Sequence, residues 1–247
     1  MTELRSQAVV LRVRSFKEAD KLVTLLTRDA GLVTAVARGS RKTNSKFAAL
    51  LEPLTLGNFL LHQGRSLYTF IQGEIIKAYR SLQGDLVRFA YAQYFCELCE
   101  RSLLEGMPSG ALFMLLVTAL EALEEDSSPV RVARCFEVSL LAELGISPDL
   151  SGCSNCGSRQ GVYHFNPREG VLLCAACPHP VESYPVSAAA IAIMKRLQEM
   201  GFHRLSVCVI PSGESKEIHR MVADLLMHSL GISRLKTVDF LQQTGLL

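Results

Sequence analysis

Four cysteines in two pairs constrain this chain more than any other feature of its sequence. Cys153 and Cys156 form one Cys-x2-Cys pair, Cys174 and Cys177 form a second, and seventeen residues separate the pairs. This spacing is typical of a four-thiolate zinc site, because two residues between thiolates let a tight turn direct both sulfurs at one ion. Four sulfurs complete a tetrahedron and leave no position for water or substrate. The pattern therefore predicts one structural zinc ion per chain.

Disulfides, unrelated free thiols and another tetrahedral metal are the alternatives for these cysteines. His164 and His179 are close enough in sequence to be spare ligands, although four cysteines already suffice. Cys96 and Cys99 also have the Cys-x2-Cys spacing, but they fall in a helical apolar pattern and we interpret them as core residues. Metal-type cysteines, with no signal peptide and no apolar run of about 18 residues, favour a cytoplasmic protein without membrane association.

Charge is unevenly distributed along the chain. Residues 1–80 contain thirteen Lys and Arg against six Asp and Glu, a net charge of +7, while the remainder carries a net charge of −5. A basic N-terminal part joined to an acidic remainder predicts contact with a polyanion at one end of the chain.

Alternating apolar and polar residues predict five β-strands in this basic part. In the first strand, Val9, Leu11 and Val13 are expected to face one way, with Arg12 and Arg14 on the other side. The five predicted strands span residues 7–14, 21–27, 32–37, 54–61 and 66–76. Short turns, with one longer basic loop, favour a small barrel. The OB-fold is the best match, and an SH3-like barrel is the competitor.

Beyond residue 80 the apolar period changes from two to about 3.6, which predicts helices. These helices span residues 82–104, 109–123, 128–145, 187–200 and 215–230, with the cysteine pairs between the third and the fourth. We therefore predict an α+β protein with two domains. Residues 1–80 form an OB-fold nucleic-acid-binding domain, and residues 81–247 form a helical domain with a zinc module inserted at about residues 150–182.

The sequence contains no nucleophile elbow, Walker loop, His-Glu zinc helix or magnesium-type carboxylate cluster, so we predict neither enzymatic activity nor a small-molecule substrate. The basic loop from Arg38 to Lys46 can bind phosphates, and a solvated loop is the alternative. Phe47 and Tyr68 lie among these charges and are candidates for base stacking. The predicted DNA-binding residues are Arg12, Arg14, Lys21, Arg38, Arg41, Lys42 and Lys46.

Several segments, in this order and spacing, resemble the RecO family of bacterial recombination mediators. They are Val9 to Arg12, Thr27 to Gly31, Ala37 to Lys42, Leu51 to Leu54, the four cysteines, and Arg234 to Leu241. The resemblance covers essentially the whole chain. Because the cysteines are not universal in that family, the resemblance is to its zinc-bearing branch.

This resemblance implies an N-terminal OB-fold, a helical C-terminal domain with a zinc module, and a nucleoid-associated function in DNA repair. It implies binding of single- and double-stranded DNA, annealing of complementary strands, and loading of RecA, together with RecR, onto single strands coated by single-stranded-DNA-binding protein (SSB). It also implies contact with the acidic C-terminal tail of SSB. Arg131 and Arg134, basic residues in the acidic half, are our candidates for that contact. A metal-dependent nuclease and a protein-interaction scaffold without a direct DNA role are the alternatives.

Overall fold

The structure is a computed structural model that describes residues 3–42, 45, 47–105 and 107–246. The chain forms two compact units, Met1–Glu124 and Glu125–Leu247. Within the described residues, the first unit contains a closed β-barrel and three helices, and the second contains a four-stranded sheet and four α-helices. This combination confirms the predicted α+β class.

Five strands form the barrel in the described part of the first unit. They are β1 (Glu3–Phe16), β2 (Asp20–Thr27), β3 (Gly31–Ala37), β4 (Thr55–Gln63) and β5 (Tyr68–Ala78). Their order around the barrel is β1-β2-β3-β5-β4. Neighbours are antiparallel except β3 and β5, whose short parallel contact pairs Ala35 with Tyr68 and Val36 with Thr69. This arrangement is that of the five-stranded OB-fold, so the predicted barrel is confirmed.

The barrel core combines inward-facing strand residues with two apolar residues of the β3–β4 connection, Phe47 and Leu51. The rings of Phe47 and Phe70 meet edge to face, with their centroids 5.1 Å apart. The buried members of this core are Ala8, Val10, Val23, Leu25, Val33, Ala35, Ala37, Phe47, Leu51, Phe59, Leu61 and Phe70.

The first strand departs from simple alternation. The pairing of β1 with β2 shifts between Val10 and Arg12, which leaves Leu11 as a bulge residue. After the bulge Val13 packs against the barrel core, whereas Val9 is fully buried outside that core. The prediction that Val9, Leu11 and Val13 share one face is therefore wrong. A bulge changes which face the following residues occupy, and alternation alone does not reveal it.

Three helices complete the first unit within the described residues: α1 (Arg80–Gln83), α2 (Leu86–Ser102) and α3 (Gly110–Glu125). Asp85 caps α2, because its carboxylate accepts hydrogen bonds from the N–H groups of Val87 and Arg88 at 2.9 and 3.1 Å. Helix α2 contacts β1. The compact unit thus extends to Glu124, whereas the sequence pattern predicts a boundary at residue 80.

The second unit combines a helical cluster with the small sheet. Ser128 caps its first helix and Pro129 is the first helical residue, as the sequence predicts. The elements are α4 (Pro129–Glu143), β6 (Asp149–Cys153), β7 (Tyr163–Asn166), β8 (Val171–Cys174), β9 (Tyr184–Val186), α5 (Ala188–Met200), α6 (Ser212–Leu230) and α7 (Lys236–Gln243). Helix α4 contacts both α5 and α6, which also contact each other. The four strands, which the sequence pattern does not predict, pair in the order β6-β8-β7-β9.

Candidate metal centre and nucleic-acid interface

The four cysteines of the two Cys-x2-Cys pairs converge in the second unit. Cys153 ends β6 and Cys174 ends β8, and these two strands pair with each other. All four Sγ atoms lie within 4.8 Å of one another, and those of Cys156 and Cys174 are 3.6 Å apart. A tetrahedral ion with bonds of about 2.3 Å to sulfur places its ligands about 3.8 Å apart, so this set fits such an ion. Cys153, Cys156, Cys174 and Cys177 can therefore hold a metal ion.

Each Cys-x2-Cys segment is a turn closed by a backbone hydrogen bond. The N–H of Gly157 donates to the carbonyl of Cys153 at 2.8 Å, and the N–H of Cys177 donates to the carbonyl of Cys174 at 3.1 Å. Gly157 has a φ of +73°, which glycine adopts without a steric cost.

The pKa values of the first and last of the four cysteines are shifted in opposite directions. Backbone N–H groups of Cys174 and Cys156 lower the pKa of Cys153 to about 6. Hydrogen bonding with the Cys156 side chain raises the pKa of Cys177 to about 12. The sulfur of Cys153 is therefore disposed to be a thiolate, and a bound cation would be needed to ionise Cys177.

The other cysteine and histidine candidates are not part of this cluster. His164 and His179 stack with their ring centroids 4.2 Å apart, and the described metal-type group contains neither of them. Cys96 and Cys99 are buried in α2, and burial raises the pKa of both thiols. This position agrees with their interpretation as core residues.

Three connections of the barrel surround the end of β3. The pairing of Ala37 with Lys21 places the β1–β2 turn on one side of it. The pairing of Ala35 with Tyr68 places the β4–β5 turn on the other side. The β3–β4 loop begins at the same point. These connections and the adjoining strand ends carry exposed or half-buried cations, which we call the basic end of the barrel: Arg14, Lys17, Lys21, Arg38, Arg41, Lys42 and Arg65.

Hydrogen bonds fix the first part of the β3–β4 loop against the β1–β2 turn. The N–H of Gly39 donates to Asp20 Oδ1 at 2.8 Å, and the N–H of Arg41 donates to the carbonyl of Ala19 at 3.0 Å. The Arg41 guanidinium donates to the carbonyl of Lys17 at 3.1 Å. The cations of the two connections are therefore held together by backbone contacts, at a position where phosphates could reach them.

Sequence reasoning missed two cations of the basic end. Lys17 lies in the β1–β2 turn and Arg65 in the β4–β5 turn, and both are exposed. The predicted hairpin at Gln63 to Arg65, combined with OB-fold strand order, could have placed Arg65 beside the end of β3.

Two of the predicted DNA-binding residues differ from the others. Arg12, on β1, forms an ion pair with Glu100 of α2, so its guanidinium already has an anionic partner. Lys46 lies outside the described residues. The assignment of all seven residues to DNA stays a prediction.

The two aromatic candidates for base stacking have different environments. Phe47 is only 9% exposed and belongs to the barrel core. Its proposed role as a stacking platform needs correcting, because a ring that fills the core presents no free face to a base. Tyr68 is half-buried at the contact between β3 and β5, so part of its side chain reaches the surface.

Arg131 and Arg134, the candidates for the SSB tail, both make internal contacts. Arg134 is 1% exposed, and its guanidinium donates to Glu137 Oε1 at 2.8 Å and to the carbonyl of Ser215 at 3.1 Å. This corrects the suggestion that Arg134 meets a partner's carboxylates, because its charge is buried and already neutralised. Arg131, whose side chain is 15% exposed, donates to both carboxylate oxygens of Asp126, at 2.6 and 3.2 Å.

Fold and cysteine cluster together define a protein with an OB-type barrel, a basic end and a closed metal-type site in a separate unit. The chain matches the family models described as "Recombination protein O N terminal", over residues 1–79, and "Recombination protein O C terminal", over residues 83–239. The chain therefore belongs to the recombination protein O (RecO) family. The two matched ranges meet near residue 80, whereas the compact units meet at Glu124, so the domain boundary stays a prediction.

Curated relatives are similar over nearly their whole length. The chain is 38% identical to the DNA repair protein RecO of Symbiobacterium thermophilum over 239 residues, which are 94% of each chain. It is 30% identical to DNA repair protein RecO of Bacillus subtilis over 243 residues, covering 97% of this chain and 94% of the relative. It is 34% identical to DNA repair protein RecO of an Anaeromyxobacter strain over 252 residues, covering 99% and 98%. Among the described residues, no helix combines the length and the apolar character needed to cross a membrane.

Proposed function

We propose that this protein is a DNA-binding recombination mediator that has no catalytic activity of its own and holds DNA phosphates at the basic end of the barrel. The observation that carries the proposal is the gathering of cations from three separate connections around the end of β3, in a member of a recombination protein family. Arginine can bind a phosphate through two hydrogen bonds and lysine as a point charge, so such a cluster suits a nucleic-acid backbone. Backbone contacts position a protein without reading sequence.

Family membership supports a wider activity in DNA repair. We propose binding of single- and double-stranded DNA, annealing of complementary strands, and, together with RecR, loading of RecA onto SSB-coated single strands. Annealing requires that two approaching polyanions be neutralised at once, and a cluster with several cations can contribute to that.

The experiment is a salt titration of DNA binding with two matched triple variants. Arg38→Ala/Arg41→Ala/Lys42→Ala removes three cations from the basic end. The control, Arg196→Ala/Arg204→Ala/Lys216→Ala, removes the same charge from exposed positions of the second unit. Each phosphate contact that is lost should lower the slope of log K against log salt by about 0.7 for single strands and about 0.9 for duplex. The first variant should therefore have a flatter slope and weaker binding to every sequence, and the control should resemble the wild type.

Three other results would contradict this proposal. Equal slopes for the two triple variants would place the DNA site away from the basic end. No salt-dependent DNA binding by the wild type would favour the protein-interaction scaffold. Magnesium-dependent cleavage of DNA would identify a nuclease.

We propose zinc as the metal of the cysteine cluster. Four thiolates are soft ligands in the spacing and at the separations that suit zinc, and they leave no open position, so the ion would stabilise the module without taking part in a reaction. Metal analysis of protein purified without chelator should give one zinc per chain.

We also propose that the acidic tail of SSB binds the helical unit. Arg131 stays a candidate, since a competing carboxylate could exchange with Asp126, whereas the burial of Arg134 removes it from the candidates. Tail-peptide affinity that is unchanged in Arg131→Ala would refute the assignment of Arg131.

A further inference from the structure

One predicted DNA contact, Arg12, already has an anionic partner. Its guanidinium forms an ion pair with the carboxylate of Glu100, near the end of α2. The Arg12 side chain is 48% exposed and that of Glu100 is 20% exposed. The pair therefore lies at the surface, where a dissolved anion can approach it.

Arg12 lies on the strand that leads to the basic end of the barrel. Arg12 and Arg14 follow each other at a spacing of two on β1, so both exposed side chains project from the same face of the strand. Ser15, the next residue, pairs with Lys21 at the start of β2. A DNA backbone bound at the basic end can continue along this face of β1. On that face, Arg12 already has an anionic partner.

Glu100 stands among several charges. Its carboxylate interacts electrostatically with Arg12 and Arg14 of β1 and with Glu97 and Arg101 of its own helix. Burial raises the pKa of Glu100 above the ordinary value of a glutamate, and the three guanidinium groups oppose that shift. Burial therefore opposes ionisation of Glu100, while the ion pair with Arg12 favours its carboxylate form.

We propose that Glu100 is an intramolecular counter-ion of Arg12, which a DNA phosphate displaces when the strand extends from the basic end along β1. This inference rests on the proposed DNA-binding function and deepens it, because it names a residue, Glu100, whose carboxylate weakens DNA binding. An exposed ion pair is weak and is screened by salt, whereas a phosphate can form two hydrogen bonds with a guanidinium. The exchange therefore adds Arg12 to the contacts of a strand that is already bound at the basic end.

The test replaces the carboxylate by an amide of the same shape, Glu100→Gln, and measures DNA binding by fluorescence anisotropy over a range of salt concentrations. The matched control is Glu105→Gln. Glu105 belongs to the same unit but accepts a hydrogen bond from the hydroxyl of Thr34, a neutral group, at 2.6 Å. Both variants remove one negative charge, but only Glu100→Gln removes the ion-pair partner of an arginine.

The expected result is tighter binding and a steeper salt dependence for Glu100→Gln. At low salt the gain should reach at most about fivefold, which is the strength of the exposed ion pair that the wild type must break to make the same phosphate contact, and it should shrink as salt screens that pair. The control should change affinity less than about twofold, because screening weakens the effect of a distant charge. The gain should vanish when Glu100→Gln is combined with Arg12→Ala, since no cation is then released.

A second measurement on the wild type keeps the proposal testable if Glu100→Gln proves unstable. Lowering the pH towards the raised pKa of Glu100 neutralises its carboxyl and releases Arg12. The affinity of the wild type should therefore rise more steeply with acidity than that of Arg12→Ala, in which the carboxyl has no guanidinium to release. Parallel pH profiles for these two proteins would overturn the proposal.

The proposed function and the counter-ion role of Glu100 can be refuted separately. If the wild type shows no salt-dependent DNA binding, the proposed function is wrong. If the wild type binds DNA but Glu100→Gln behaves like Glu105→Gln, the counter-ion role is wrong and the proposed function stands.

Discussion

The helices that follow the barrel are expected to be part of its folding unit, so a chain that ends at residue 80 should not hold a stable barrel. Several apolar residues of β1 to β4 are buried although they do not belong to the barrel core. They are Val9, Leu11, Leu26, Leu32 and Leu56. Helix α2 contacts β1, and the backbone of Met107 lies close to Gly31 at the start of β3. Helix α2 and the backbone at Met107 thus lie against the outside of the barrel.

The size of the effect follows from this burial. Complete exposure of one valine or leucine side chain costs about 1.5–3 kcal/mol. Five such residues therefore represent about 8–15 kcal/mol, which is comparable to the whole stability of a typical domain, about 5–15 kcal/mol. A chain of residues 1–80 should consequently be unfolded or aggregated, whereas a chain of residues 1–126 should fold.

Two assays check this expectation. Amide dispersion in two-dimensional NMR spectra and cooperative unfolding in urea should be seen for residues 1–126 and not for residues 1–80. In the full chain, Leu11→Ala should cost about 2–5 kcal/mol, as in a core position, while Leu86→Ala at an exposed position should stay within about 0.5 kcal/mol. A folded, cooperative 1–80 fragment, together with a small effect of Leu11→Ala, would refute the reasoning and support a boundary at residue 80.

Three further substitutions have defined expectations. Cys156→Ser removes one ligand of the metal-type cluster, so metal analysis should show loss of the ion and proteolysis should show a locally unfolded module, while DNA binding persists in the protein that stays folded. Gly31→Ala should lower the melting temperature, because φ is +66° there and the new Cβ would lie 1.8 Å from the carbonyl oxygen of Met107; the conformation alone costs about 1–2 kcal/mol. Arg134→Ala should cost about 3–5 kcal/mol in urea unfolding, since it removes the guanidinium that neutralises the buried Glu137 carboxylate.

Features encoded by local pattern could be predicted from the sequence. The strand alternation, the helical period, Ser128 with Pro129 at a helix start, and the glycine after α6 each depend on neighbouring residues. The four cysteines could be assigned to one site because a fixed spacing that suits a metal implies convergence. Their surrounding sheet could not, since its strands are three to five residues long and too short for a periodic signal.

Features that depend on tertiary contacts could not be predicted from the sequence pattern. Phe47 lies between basic residues in the sequence, as a base-stacking ring would, yet it fills the barrel core together with Phe70. The bulge at Leu11 places Val13 on the opposite face of the strand from the one that alternation predicts, because one extra residue breaks the two-residue alternation. Neither effect leaves a mark in composition or spacing.

Charge is the property for which sequence and structure differ most, because the effect of a charge depends on its partner. In the sequence, Arg12, Arg134 and Lys42 are equivalent as single positive charges. In the structure, Arg134 is buried against Glu137, Arg12 is paired with Glu100, and Lys42 is exposed in the basic loop. The buried cation is neutralised inside the fold, the exposed cation is open to solvent, and the paired cation has an anionic partner at the surface. Under the proposed DNA-binding function, the partner of each cation decides which of them a phosphate meets first, and a count of positive charges does not.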